Sequence, residues 1–115
     1  MPVITWPKSD TVEEALIQGE LRETAGCLFI DAGEGGFGVA VFSYGTTWDA
    51  PTSAVVNPDG SSLTVGQTVT ASGGGHQVAE LDEWLPPDTV RLIRECGDAG
   101  ATNRAFILGH LQASS

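Results

Sequence analysis

The sequence predicts a mainly β protein, a small antiparallel OB-like barrel with one or two short helices before the last strand. Three observations carry this prediction. Residues 55–75 read as strand-forming segments around a turn at 57–60, and residues 39–44 (VAVFSY) are β-branched and aromatic. A helical spacing of apolar residues starts only at 78. Helices that come late among antiparallel strands are typical of OB-like and related partly open barrels.

The strands are predicted from alternation or from short apolar runs. Residues 15–23 place Ile17, Gly19 and Leu21 on one face and polar side chains on the other, as expected of a half-buried strand. The other predicted strands are apolar or β-branched runs between turn residues: 27–31, 39–44, 54–57, 62–65, 68–72 and 105–111.

Two short helices are predicted near the end of the chain. Val78, Leu81 and Leu85 are three and four residues apart, which suits a helix that ends at the following prolines. Asp88 is the expected N-cap of a second helix at 89–96, and the glycine at 97 is a natural residue to end it.

The chain has the length of one domain, at 115 residues, and shows no internal repeat. We predict an N-terminal arm at 1–14, a single β-barrel domain at 15–111 and a frayed tail at 112–115.

The charge balance is strongly acidic, with fifteen Asp and Glu against five Lys and Arg and a net charge of −10. Phosphate binding requires several bases on one face, so the composition disfavours nucleic acid and anionic membranes as partners. An acidic protein can bind a basic partner, but a solvated acidic surface is the simpler interpretation.

The cellular location that we expect depends on whether Met1 is the natural first residue. No apolar run approaches the ~20 residues of a membrane-spanning helix, so we expect no membrane insertion. The first residues lack a basic segment followed by an apolar one. We therefore expect a cytoplasmic protein if Met1 is the natural start, and a secreted or envelope-associated one otherwise.

Residues 33–38 match the dinucleotide-binding pattern G-x-G-x-x-G. That function requires a helix after the last glycine, and here a strand-forming run follows. We interpret the segment as a hairpin turn and predict no cofactor. Asp31 and Glu34 are too few for a calcium loop, which supplies six or more oxygens, so no metal is predicted.

A second glycine-rich segment, Ser72 to His76, contains a hydroxyl and an imidazole. The serine precedes the glycines, which does not fit the G-x-S-x-G pattern of hydrolases. The glycines would let the chain leave the barrel, or would allow close approach of a backbone or a ligand. With the aromatic residues of the 44–48 loop, the candidate ligand-binding residues are Tyr44, Trp48, Gly73, Gly74, Gly75 and His76.

The two cysteines, Cys27 and Cys96, lack a C-x-x-C partner, which argues against zinc and thioredoxin-type sites. If the late helix packs across the barrel, they can meet, and a disulfide would then stabilise the fold by about 4 kcal/mol. The alternative is two separate buried thiols.

The chain resembles a group of short actinobacterial domains that are often secreted or lipoprotein modules. The resemblance spans about residues 17–96 and rests on the order of short motifs: Gly19 and Leu21, Gly26-Cys27-Leu28, Gly45-Thr46 with Trp48, Asp59-Gly60, Val65-Gly66, Gly75 and Cys96. It implies a compact β domain with a Cys27–Cys96 disulfide, and it implies no activity.

The function that these observations favour is a non-enzymatic binding or interaction module for a protein or a small molecule. Two alternatives stay open. One is a small hydrolase that uses His76 with Ser72 or with an acid such as Asp49. The other is a structural domain that self-associates through a strand edge, so the chain is expected to be a monomer or a homodimer.

Overall fold

The computed structural model describes residues 3–6, 15–33, 36–83 and 85–113. Glu34 and most of the predicted arm lie outside the described residues. Within them the prediction of a mainly β protein is confirmed. The strands are β1 (Ile4–Thr5), β2 (Ala15–Thr24), β3 (Cys27–Asp31), β4 (Phe37–Phe42), β5 (Thr47–Asp49), β6 (Ala54–Val56), β7 (Ser62–Thr64), β8 (Thr68–Gln77) and β9 (Arg104–Ala113).

The strands form two sheets. The larger sheet has the order β1-β4-β3-β2-β8-β9, and β4 also pairs with β9. The pairings therefore run from β4 through β3, β2, β8 and β9 and return to β4, which makes a ring of five strands. The smaller sheet has the order β5-β6-β7. The β1–β4 and β4–β9 pairings are parallel, which differs from the purely antiparallel pairing that we predicted.

Some observed strands differ from the predicted ones in their bounds, and others were not predicted. Strand β4 begins and ends two residues earlier than the predicted 39–44. Strand β8 continues through the three glycines to Gln77 instead of ending at 72, because the glycines pair with β9. Strands β1 and β5 were not predicted, since runs of two and three residues have no visible period. Gln112 and Ala113, in the predicted tail, are the last two residues of β9.

Apolar side chains on the two faces of the strand ring form two separate cores. Along β4, Val39 and Val41 belong to one core, while Ala40 and Phe42 belong to the other. Both faces of this strand are buried, which explains why it reads as a continuous apolar run. The smaller sheet contributes Val55 to the second core.

We call these two clusters the helix-side core and the inner core. The helix-side core contains Ile4, Phe29, Val39, Val41, Val78, Leu81, Leu85, Val90, Ile93, Cys96, Ala105 and Ile107. The inner core contains Leu21, Leu28, Ile30, Ala40, Phe42, Val55, Leu63, Val69, Ala71, Phe106, Leu108 and Leu111.

The two helical segments cover the helix-side core. The first is a 3₁₀ helix at Val78–Glu83, and the second is α1 at Pro87–Ala99. The predicted N-cap, Asp88, is instead in the first turn, because Pro87 has a preset φ and starts the helix earlier. Gly97 lies inside α1 and not after it, and a Cβ there would be 2.7 Å from the Thr102 carbonyl oxygen.

A disulfide joins Cys27 to Cys96, with the two Cα atoms 5.6 Å apart. It links the first residue of β3 to the C-terminal half of α1. The pairing that the resemblance implied is therefore confirmed, and the alternative of two separate thiols is wrong. Strands β3 and β4 pair antiparallel on either side of the predicted hairpin turn, as that interpretation requires, but β4 already begins at Phe37, inside the predicted 33–38 segment.

Candidate functional site

The predicted aromatic residues differ in exposure. Tyr44 lies in the turn after β4 and is 69% exposed. Trp48 lies in β5, where it is partly buried against the inner core. Tyr44 is therefore available for contact with a ligand, while Trp48 packs against the inner core.

The predicted glycines serve the pairing of β8 with β9. The register shifts between Ala71 and Gly73, which marks a β-bulge. A Cβ on Gly73 would overlap the carbonyl oxygen of Ile107, so the close approach of the two strands requires glycine at this position. Of the predicted reasons for these glycines, the close approach of another backbone is the one observed at Gly73.

His76 pairs with Ala105 in the same ladder, and its Nδ1 is 3.9 Å from Glu80 Oε2. Ser72 is four residues earlier in the same strand, which corresponds to roughly 13 Å along it. The structure therefore does not place the Ser72 hydroxyl beside the His76 imidazole. Asp49, the other partner considered, accepts a hydrogen bond from the Thr52 hydroxyl at 2.6 Å.

The Tyr44 loop lies beside a different part of the chain. A Cβ on Gly45 would be 3.2 Å from Pro58 Cγ, so this loop contacts the turn between β6 and β7. That turn is attached to β9 at His110 and Leu111. His76 pairs with Ala105, six residues earlier in β9, roughly 20 Å along the strand. The structure thus brings Tyr44 to the β6–β7 turn and not to His76.

The β6–β7 turn is fixed by hydrogen bonds around the carboxylate of Asp59. Ser61 donates from its hydroxyl at 2.6 Å and from its backbone N–H at 3.0 Å, both to Oδ1. The His110 ring nitrogen Nε2 lies 2.9 Å from Oδ2. The Ser61 hydroxyl, followed by the Ser61 N–H and His110, lowers the pKa of Asp59 to about 2. Asp59 is therefore an ionised carboxylate held in one orientation.

Asn57 anchors the same turn from beneath. It is 3% exposed, and its side-chain amide donates to the Leu111 carbonyl oxygen at 2.9 Å. Its Oδ1 accepts the Leu111 N–H at 3.3 Å. The Asn57 side chain thus bonds both the N–H and the C=O of Leu111, as the backbone of a neighbouring strand would. A buried amide with these bonds satisfied gives the turn a rigid base.

We call the surface formed by these two loops the turn platform, and its residues are Tyr44, Gly45, Pro58, Asp59, Ser61 and His110. The sequence identified 57–60 as a turn, but it gave no signal for the contact with His110, which is 51 residues from Asp59. A local signal that sequence reasoning missed is Asp59 two residues before Ser61, the spacing of an Asx turn, which would have indicated a fixed carboxylate.

The polar groups of the turn platform are not in the order of a Ser-His-Asp relay. In a Ser-His-Asp relay the histidine lies between the other two residues and takes the serine proton. Here the carboxylate of Asp59 lies between Ser61 and His110. The arrangement offers a fixed anionic acceptor beside an exposed aromatic ring.

A second concave surface lies where α1 meets the start of β9. It encloses about 250 Å³ and is lined by Val78, Ala79, Arg94, Gly97, Asp98, Thr102 and Asn103. The Thr102 hydroxyl donates to the Phe37 carbonyl, and the Thr102 N–H donates to Gly97. Ligand pockets usually span roughly 300–1,000 Å³, so this shallow cleft is a weaker candidate than the turn platform.

Within the described residues, no group of three or more His, Cys, Asp or Glu could hold a metal ion. In the same part of the chain, no helix is both long and apolar enough to cross a membrane. No family model, curated protein or solved structure matches the chain.

Proposed function

We propose that the protein is a non-enzymatic interaction module and that the turn platform is its recognition surface. One observation carries this proposal: the most exposed aromatic side chain among the described residues, Tyr44, lies beside a turn that hydrogen bonds hold rigid. A preorganised surface loses little conformational entropy on binding, which favours affinity. Of the predicted site, the proposal keeps Tyr44 and leaves out Trp48, which is partly buried against the inner core, and Gly73 to His76.

We further propose that the ring of strands is a small OB-like barrel and that the domain functions outside the reducing cytoplasm. The Cys27–Cys96 disulfide supports this location, because such bonds persist mainly in oxidising compartments. Alkylation and intact mass of protein from its own host test it, and two alkylated thiols would contradict it.

The recognition surface is tested by site-specific photo-crosslinking in that host. A photoreactive phenylalanine derivative replaces Tyr44 in one variant and Leu92 in a control, which is also exposed but lies on α1. We expect discrete crosslinked species from position 44 and none from position 92. Equal labelling from both positions, or none from position 44, would contradict the assignment.

A self-associating domain is the second candidate, and one observation favours it. Leu16 on β2 is 73% exposed, the largest exposure of a large apolar side chain among the described residues. Light scattering across a range of protein concentrations tests this candidate. A monomer at all concentrations would rule out self-association, while a dimer that Leu16→Ser converts to a monomer would support it.

A further inference from the structure

We propose that the turn platform binds a basic protein segment, with a lysine or arginine side chain placed between the Tyr44 ring and the Asp59 carboxylate. This inference rests on the proposed function and names the chemical class of its partner. It is carried by three independent features of the platform: charge, a fixed acceptor and an aromatic ring.

The first feature is the distribution of charge along the chain. Residues 23–90 contain nine Asp and Glu and no Lys or Arg. Both loops of the turn platform lie within this segment. The described arginines lie elsewhere, and two of them have acidic partners: Arg22 contacts Glu20 and Asp31, and Arg91 contacts Asp88. The net field therefore attracts cations, which raises the rate of encounter with a basic partner.

The second feature is the state of the Asp59 carboxylate. Its pKa is lowered to about 2, so it is ionised throughout the physiological range. Its side chain stays 57% exposed although Ser61 and His110 hold both oxygens. An ionised carboxylate has about four lone-pair sites, and the three contacts leave one for a donor from outside. Because the Asp59 side chain is already ordered in the free protein, binding loses little of its conformational entropy.

The third feature is the position of Tyr44. Gly45 lies beside Pro58, since a Cβ on Gly45 would be 3.2 Å from Pro58 Cγ, and each is adjacent in sequence to one of the two proposed contact residues. The ring of Tyr44 is largely exposed, so its face can accept a cation. An aromatic face beside a carboxylate favours a Lys or Arg side chain, because the stem packs on the ring while the charge pairs with the acid.

A labelled decapeptide of alternating lysine and glycine is the probe, and fluorescence anisotropy at low salt is the measurement. The matching serine-glycine decapeptide and a neutral oligosaccharide serve as uncharged comparisons. We expect the lysine peptide to bind with the highest affinity and to weaken as sodium chloride is raised.

Four variants separate a local site from net charge. Tyr44→Ala removes the ring at constant charge, and we expect an affinity loss of about threefold. Asp59→Asn removes one charge from the platform, and we expect a similar loss. Glu95→Gln removes one charge from α1, and Tyr44→Phe keeps the ring face. We expect neither of these two to change the affinity measurably.

The outcomes are distinct. Equal losses for Asp59→Asn and Glu95→Gln would show binding by net charge alone and would overturn the proposal. A neutral probe that binds more tightly than the lysine peptide, with dependence on Tyr44, would also overturn it. If photo-crosslinking succeeds at position 44 while the lysine peptide shows no dependence on Tyr44, the basic class is wrong and the recognition surface stands.

Discussion

The helix-side core and the turn platform are held in place by different means. On the helix side, α1 and the 3₁₀ helix pack apolar residues onto the strand ring, and a disulfide joins α1 to β3. At the turn platform, a side-chain amide and a carboxylate attach a short turn to β9 through hydrogen bonds. The helix-side core depends on apolar burial and a disulfide, and the turn platform depends on hydrogen bonds between polar side chains.

This difference is the reason why we propose the turn platform, and not the helix side, as the recognition surface. Apolar packing buries the side chains that stabilise the helix side, so they are unavailable to a partner. Hydrogen bonds at the turn platform order the backbone while they leave Tyr44 and Asp59 exposed. Rigidity without burial is what a preformed binding surface requires.

The largest expected effect comes from the disulfide. Replacing both cysteines by alanine should lower the free energy of unfolding by about 4 kcal/mol, because the bond closes a loop of about 70 residues in the unfolded chain. Urea denaturation measures the loss. Hydrogen exchange should rise first in α1 and not in the β6–β7 turn. A loss below about 1 kcal/mol would show that packing alone fixes α1.

The next effect concerns Gly73, which lies next to the register shift where β9 has one more residue than β8. Gly73→Ala should cost roughly 2–3 kcal/mol, since the added Cβ meets the Ile107 carbonyl and the strands must separate. Gly75→Ala, two residues along the same strand, is the matched control. Its Cβ would contact the Phe106 ring at 3.3 Å, so a change within about 1 kcal/mol is expected. Similar losses from both variants would contradict the role assigned to the bulge.

The base of the turn platform should respond to Asn57→Ala with a loss of roughly 2–4 kcal/mol, because the N–H and C=O of Leu111 lose their partner. Exchange of the Leu111 amide should accelerate in this variant. Ser61→Ala removes a more exposed hydroxyl and should cost less than about 1 kcal/mol. An unchanged Leu111 exchange rate would show that the side-chain amide does not protect this edge.

The smallest effect is a pH dependence at Asp59. Its pKa in the folded protein, about 2, lies below the ordinary value of 3.8. The ionised carboxylate therefore stabilises the fold above pH 3.8, and this contribution is lost as the pH falls through about 2. The stability difference between the protein and Asp59→Asn should shrink over that range.

An NMR titration of the Asp59 carboxyl gives the same information directly. In Ser61→Ala its pKa should rise towards 3.8, because the Ser61 hydroxyl is the largest cause of the shift. An unchanged midpoint in that variant would assign the low pKa to the backbone N–H of residue 61 and to His110 instead.

Much of the fold followed from sequence because its strands have local signatures. The runs at 27–31 and 39–44 are apolar or β-branched, and the spacing after 78 is helical. The candidate site was predicted only in part. Tyr44 was identified, but its neighbours were sought at Gly73 to His76, whose glycines instead allow β8 to approach β9. Nothing near Asn57 in the sequence indicates its contact with Leu111.

The sequence by itself determined the mainly β class, the late helical segment, the acidic charge and the turn at 57–60, because each depends on neighbouring residues or on composition. Only the tertiary structure decided the return of β4 to β9, the division into two cores and the attachment of Asp59 to His110. The β4–β9 pairing and the Asp59–His110 contact join residues 51 or more positions apart, and they follow from how strands pair and not from any local preference.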